Sequence, residues 1–475
     1  MFQIGALVLW LAGQGAATPQ GLLGGAGIPA AVDGLGAAER SEAELQLSRH
    51  LSGVRAPRLG TPELFTFYPL AGQLYRDLFT NNFVDLMPGA GLLDWDCTDV
   101  TYDGHDATDV ELRTFGEQLV GVPVFAALDG LVVATHDGED DMHTSCAGTA
   151  NSVIVDHGGG RVCYYWHLRN GSVQVVPGQL VSAGQQLGLA ASSGCSTWPH
   201  LHFATYDGGV LTEPYTGACH PGPSQWTEQA PIERETYLND LNLTNVNIAN
   251  YPGLPFDMPR RGTFVQGVRA VRFWIQLRNL PASSTWRVSY VRPDGSVAFN
   301  SGMGNFGAPA YRSSWWWWAY SVNLNALGTW HLRMNVNGAL VGEVPFDVVA
   351  TAAEIVNRPP APVSASLWPA HPRASDVLQC RLDTDLLLDD PDFDIVRYHY
   401  VWSVDGTIVR DVVSAAHSDV LARGTAPAGS FVTCEVTPSD GTASAPSAAV
   451  GDVIRPIVKA LPMPEPSDGV SVRSP

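Results

Sequence analysis

The chain has 475 residues with 47 acidic and 27 basic side chains, a formal net charge of −20. An acidic excess of that size repels phosphate backbones and anionic membrane surfaces, which sets nucleic acid aside as a partner, and 45% apolar with 16% charged residues excludes a largely disordered chain. Gly and Pro, 48 and 34 residues, exceed the usual ~12% and imply short strands between many turns, so long helical arrays are excluded as well.

Residues 1–17 hold an apolar run of about a dozen residues, shorter than the ~20 needed to span a bilayer, and end in the small residues Gly15, Ala16 and Ala17. This segment reads as a signal peptide, although no Lys or Arg precedes its apolar core. The mature protein is then expected to be secreted, either extracellular or in the periplasm and cell envelope. Residues 18–59 form a leader, Gly/Ala-rich at first and then rich in strong helix formers over Ala37–Leu51, where a short helix is expected.

From 60 to 230, short strand-like runs alternate with Gly turns: Val122–Phe125, Gly130–Ala134, Ser152–Asp156 and Val162–Leu168, the last two joined by a hairpin at Gly158, Gly159 and Gly160. An antiparallel β domain follows. A β-sandwich unit is expected over 245–350. There Phe273, Ile275 and Leu277 alternate with Arg272, Gln276 and Arg278, and Trp330, Leu332, Met334 and Val336 alternate with His331, Arg333 and Asn335, the period of a half-buried sheet. Asp294-Gly295 and Asn337-Gly338 supply its hairpin turns. Within it, exposed members of the run Trp315-Trp316-Trp317-Trp318 would stack on sugar rings of a cell-wall glycan; packing between sheets is the plainer expectation.

A Pro-rich linker at 351–362 leads to a third β unit, 363–455, and a loose Pro/Ser-rich tail, 456–475. The carboxylates of Asp383, Asp385, Asp389, Asp390, Asp392 and Asp394 suit Ca²⁺ as hard oxygen ligands, against the simpler expectation of a solvated acidic loop. Seven cysteines in an exported chain imply disulfides. Cys380 and Cys434, with Trp402 between them, are similar to the core pair of an immunoglobulin-type sandwich and are the expected bridge. Cys97, Cys146, Cys163, Cys195 and Cys219 cannot all pair, so one is left over.

The chemistry-bearing residues lie in three short segments of the first domain. His105 and Asp109 stand four apart, His167 closes the run Tyr164-Tyr165-Trp166-His167, and His200 and His202 flank Leu201. Histidines with a carboxylate suit zinc, which in catalytic sites keeps three protein ligands and an open position. On a strand beginning near Leu201, residues i and i+2 face one side about 6.6 Å apart, so one imidazole can bind metal while its neighbour faces water or substrate. Alone, each histidine reads as packed or superficial; together, in this order, they point to one zinc site per chain. His157 sits at the hairpin and is assigned to structure.

These residues make the chain resemble the lysostaphin-type zinc endopeptidases, also called β-lytic or glycyl-glycine metallopeptidases, which carry H-x-x-x-D, a later histidine and H-x-H. The segments Val176–Val181 and Ala183–Gly188 are similar to the family's Gly-Gln turns, and Ser192-Ser193-Gly194 to the turn before its second zinc segment. The resemblance covers about residues 100–207. It implies that His105, Asp109 and His202 hold Zn²⁺, and that His167 and His200 polarise water and stabilise the tetrahedral intermediate. Zinc lowers the pKa of water from about 15.7 to about 7, and neutral imidazole can relay the proton to the leaving amine. The family also implies peptidoglycan peptides as substrate. Two departures stand out: Ala107 where Gly is usual, and Trp198-Pro199 before the triplet.

The resulting expectation is a mainly β, monomeric, secreted zinc metalloendopeptidase: an antiparallel metallopeptidase domain followed by two immunoglobulin-like β-sandwich domains. It would cut stems or cross-bridges of peptidoglycan. A non-catalytic regulator of a wall hydrolase is one alternative, although such proteins typically lose ligands and all five positions are kept here. A surface adhesin with a secondary peptidase domain is another. A lipoyl-type carrier needs a modifiable Lys, and residues 60–230 contain none.

Overall fold

The computed structural model describes residues 22–27 and 63–457. The expected signal peptide, the Ala37–Leu51 helix and all but the first two residues of the expected tail lie outside them. The protein is mainly β, with 47% of residues in strands and 3% in helices, as its turn-rich composition requires. No helix among the described residues is long and apolar enough to cross a membrane.

The elements are, in order, β1 (Leu22–Gly27), β2 (Phe79–Asn82), β3 (Thr108–Glu111), α1 (Phe115–Val120), β4 (Pro123–Phe125), β5 (Gly130–His136), β6 (Ser145–Cys146), β7 (Asn151–Gly158), β8 (Arg161–Leu168), β9 (Leu180–Val181), β10 (Gln186–Leu189), β11 (Cys195–Ser196), β12 (His200–Asp207) and β13 (Val210–Thr212). The main sheet runs β2-β3-β12-β8-β7-β5-β9, with β13 also paired to β12. Its β7–β8 hairpin turns through Gly158, Gly159 and Gly160, all at positive φ, where glycine carries no steric penalty.

The two faces of this sheet differ. One carries Val110, Val153, Val155, Cys163, Tyr165, Leu201 and Phe203 into a large core. The other carries Ala107, Ile154, Val162, Tyr164, Trp166 and Ala204 in a smaller cluster, and the candidate site lies on this second face. Ala107 and Ala204, both wholly buried, are small side chains of this face.

The following unit comprises β14 (Tyr237–Thr244), β15 (Thr263–Val265), β16 (Gly267–Leu280), β17 (Thr285–Val291), β18 (Val297–Asn300), β19 (Gly304–Asn305), β20 (Tyr311–Leu324), β21 (Gly328–Val336) and β22 (Ala339–Val349). A sheet of order β1-β20-β16-β14 faces another of order β15-β22-β21-β17-β18 across a shared core that includes Phe273, Ile275, Trp318, Tyr290, Trp330 and Phe346. β1, drawn from the leader, pairs antiparallel with Ser314–Ala319. Trp316, Trp317 and Trp318 are buried and Trp315 is half-buried, so the run packs between layers and does not present the open ring faces that sugar stacking needs. Gln276 and Arg278, on the face that alternation assigns to solvent, are also buried.

The last unit holds β23 (Ser364–Trp368), β24 (Leu378–Asp383), β25 (Arg397–Val404), β26 (Thr407–Ser414), β27 (Ser418–Leu421), β28 (Phe431–Ser439) and β29 (Ala448–Val453) in two sheets. The Cys380–Cys434 disulfide crosses its core beside Trp402, as expected. Cys97 pairs with Cys219 and Cys146 with Cys195, leaving Cys163 as a buried thiol. The expectation of calcium at Asp383–Asp394 gains no support. Asp390 accepts the backbone N–H groups of Asp392 and Asp394, and Asp389 pairs with His417. Among the described residues, ligand atoms close enough to share an ion occur in the histidine site alone.

Candidate metal centre

Three adjacent strands and the loop before them assemble the site. In β12, His200 and His202 point to the same face because they are two residues apart, while Leu201 enters the large core. Asp109 in β3 stands directly opposite His202, and Glu111 opposite His200. His105 lies in the loop before β3, turned by a hydrogen bond from its N–H to the carbonyl of Tyr102, with Gly104 at φ 77°.

His167 reaches this face through a bulge. Along β8, Val162, Tyr164 and Trp166 face the site and Cys163 and Tyr165 face the large core, so strict alternation would send His167 away. Asn151 pairs with Leu168 and Ser152 with Trp166, leaving His167 as the extra residue, at φ 63°. A bulge with its unpaired residue in the left-handed region resets the alternation: Leu168 drops into the large core and His167 joins the site.

All five predicted residues are brought together, each at most 2% exposed. His105 Nε2 lies 2.8 Å from Asp109 Oδ2, and His202 Nδ1 lies 3.0 Å from Asp109 Oδ1. The rings of His167 and His200 are 4.5 Å apart, and those of His167 and His202 5.6 Å. Two sets of potential ligand atoms result, His105/Asp109/His202 and His167/His200/His202, each within 4.8 Å and sharing His202.

The ring orientations are fixed from behind. His105 Nδ1 donates to the carbonyl of Phe83 (2.7 Å), His167 Nδ1 to that of Ser193 (2.6 Å) and His200 Nδ1 to that of Trp198 (2.8 Å), with Ser196 Oγ 3.3 Å from the same nitrogen. A carbonyl only accepts, so each Nδ1 carries the proton and each Nε2 keeps its lone pair. The Nε2 atoms of His167 and His200 are buried without a hydrogen-bond partner, and that of His105 faces Asp109 Oδ2. Buried nitrogens left unpaired are costly, and two of them aimed into one site beside a lone pair that faces a carboxylate fit a cation.

Electrostatics agree. Burial raises the Asp109 carboxyl, but the neighbouring His105 and His202 outweigh it and hold it well below the usual carboxylate range. Burial lowers His202, yet its hydrogen bonds to Asp106 and Asp109 push it up to about 10. An imidazole that holds a proton so strongly marks a point of negative potential that a divalent cation can occupy instead. Burial, and then the neighbouring His200 and His202, push His167 well down; burial also lowers His200, against the opposing charge of Asp109.

Sequence reasoning missed the supporting groups. Asp106 Oδ1 lies 3.5 Å from His202 Nε2, the carboxylate behind a histidine that often accompanies zinc. Its only signal was adjacency to His105. Asn82 Nδ2 donates to Asp109 Oδ2 (3.0 Å), and neither it nor Phe83 lies within any motif. Trp198 is buried against Phe115, with Nε1–H donating to the carbonyl of Leu112; it braces His200 through its carbonyl and does not line an open groove. His157 lies on the opposite face, between the carbonyl of Asp129 and the hydroxyl of Tyr165, and desolvation lowers it to about 4.

Residues 105–214 match the model of Peptidase family M23. The chain is 35% identical over 99 residues to the peptidoglycan DD-endopeptidase ShyA of Vibrio cholerae, covering 21% of this chain and 19% of that protein. It is 38% identical over 84 residues to the glycyl-glycine endopeptidase ALE-1 of Staphylococcus capitis, covering 18% and 21%. A crystal structure of a zinc containing peptidase from Vibrio cholerae aligns with 24% identity and a TM-score of 0.22, over 32% of this chain and 39% of that one. The chain thus spans about a fifth of the length of these two curated relatives. Residues 105–214 are thus similar to Peptidase family M23 and to lysostaphin-like glycyl-glycine endopeptidases.

Proposed function

We propose that this M23-like domain hydrolyses peptide bonds of peptidoglycan, in stems or cross-bridges, with one zinc ion held by His105, Asp109 and His202. The observation that carries this reading is the pair of buried ligand sets sharing His202, on a face where the inward nitrogens of His167 and His200 have no hydrogen-bond partner. Two imidazoles and one carboxylate are a donor set that zinc accepts with a position to spare. When bound, zinc supplies a Lewis acid that activates water near neutral pH and polarises the scissile carbonyl.

The remaining work falls to His167 and His200. Both rings are kept neutral by burial, and both are held at Nδ1 with Nε2 facing inward. One can therefore accept the proton of the attacking water at Nε2 and return it to the departing amine, its charge while it carries that proton stabilising the negative charge on the former carbonyl oxygen, and the other can accept a hydrogen bond that orients the same water. No serine or cysteine nucleophile is required, and the one free thiol, Cys163, is buried on the other face with its pKa pushed up to about 12 by desolvation.

Three disulfides favour an oxidising compartment, which supports secretion or a place in the cell envelope. On this reading the peptidase unit spans 60–230, with β units at 245–350 and 363–455 beside it. Dye-labelled peptidoglycan tests the proposal: soluble label should appear with the full chain, cease after chelation and return with added zinc. Release that is indifferent to the chelator would reject it.

A further inference from the structure

The edge of the main sheet holds the metal centre from behind, and something must hold that edge. β2 is a four-residue edge strand. Yet Asn82 at its end orients Asp109, and the next carbonyl, Phe83, orients His105. Two of the three proposed ligands therefore depend on a segment with few hydrogen bonds of its own.

The neighbouring β-sandwich grips this segment. Arg278 of β16, wholly buried, donates from Nη1 to Glu111 Oε2 at 2.5 Å; Glu111 follows Asp109 by two residues and faces His200 across the strands. The same guanidinium is held by Asn239 Oδ1 at 3.1 Å, Gln276 Oε1 at 3.2 Å and the hydroxyl of Ser313. Arg312 of β20 donates from Nη2 to the carbonyl of Thr80 at 2.7 Å. Both guanidinium groups lie over the ring of Phe79, at 4.5 and 4.4 Å. Gln276 Nε2 adds a bond to the carbonyl of Arg113 at 2.9 Å.

We propose that Arg278 and Arg312 are positioning residues of the metal centre, so that the sandwich after the peptidase is part of the catalytic apparatus as well as an accessory. The proposal rests on the zinc reading above. The route is continuous: the two arginines fix Phe79, Thr80 and Glu111; those strands fix Asn82 and the carbonyl of Phe83; these set the directions of Asp109 and His105. Arginine suits the task because its planar fork makes several hydrogen bonds while its face lies on an aromatic ring.

The test is metal affinity in the full chain, read by competition with a chromophoric chelator and by the visible absorption of the Co²⁺-substituted protein. Groups that orient ligands typically change metal affinity about 10–100-fold. Arg312→Ala and Arg278→Lys should weaken zinc at least tenfold and alter the cobalt spectrum, while melting of the last β unit stays unchanged. If Arg278→Lys fails to fold because the buried pair with Glu111 is disturbed, the double variant Arg278→Met/Glu111→Gln removes both buried charges and should fold, still with weakened zinc. Folded variants with wild-type affinity and spectrum would overturn the positioning role while leaving the proposed function standing. A wild-type chain that binds no zinc would instead remove the reading beneath both.

Discussion

The ring of His167 stands 4.5 Å from that of His200 because a single unpaired residue in β8 reverses the side-chain alternation. The two imidazoles that act on water in the proposed mechanism meet through a bulge, and bulges commonly re-aim side chains beside active sites. His167→Ala should therefore keep about one zinc per chain while peptide hydrolysis falls about 10²–10⁴-fold, the range expected for loss of a general acid–base group. Elemental analysis alongside a cleavage assay separates the two effects.

The opposite split is expected around His202. His202→Ala removes the residue common to both ligand sets and should abolish stoichiometric zinc. Asp106→Asn leaves every ligand in place but removes the carboxylate 3.5 Å behind His202, and should weaken zinc about 10–100-fold. Chelator competition measures both.

Gly194 closes the turn that offers the carbonyl of Ser193 to His167. It sits at φ +71°, and a Cβ there would meet the backbone nitrogen of Ala150 at 2.7 Å. Gly194→Ala should cost about 1–3 kcal/mol in thermal or denaturant unfolding. It should also lower turnover more than zinc content, since the displaced carbonyl orients His167 and none of the three proposed ligands.

Glu213 gives a pH signature outside the site. Desolvation raises its pKa to about 8, against the backbone N–H groups of Tyr215 and Val84 that donate to it. The folded state then binds a proton that the unfolded chain has released between about pH 4.5 and 8, so this group's contribution to stability falls as pH rises through that window and levels off above it. The slope is at most about 1.4 kcal/mol per pH unit. Glu213→Gln should flatten the fall in melting temperature across the window, and an unchanged profile would remove Glu213 from it.

Much of this was legible where chemistry depends on local spacing. The H-x-H pair, the H-x-x-x-D pair, the glycine hairpin before β8 and the Cys380–Cys434 bridge all appear at their expected places, because strand periodicity and turn chemistry are local properties. The residues behind the ligands were not legible. Asn82 and the carbonyl of Phe83 come from a distant strand with no motif, and the bulge at His167 leaves no mark in a run of aromatic residues. Alternation also assigned Gln276 and Arg278 to solvent, but a second sheet covers them, and periodicity cannot tell water from a neighbouring unit. For the same reason the four tryptophans resembled a glycan surface although three are buried between layers.

Mass spectrometry of products from a defined peptidoglycan fragment tests the central claim most directly. The account predicts two products whose masses sum to that of the substrate plus one water, formed by the zinc-loaded chain and by neither the chelated protein nor His167→Ala. An intact substrate with the zinc-loaded wild type, or the same products from His167→Ala at an undiminished rate, would contradict it.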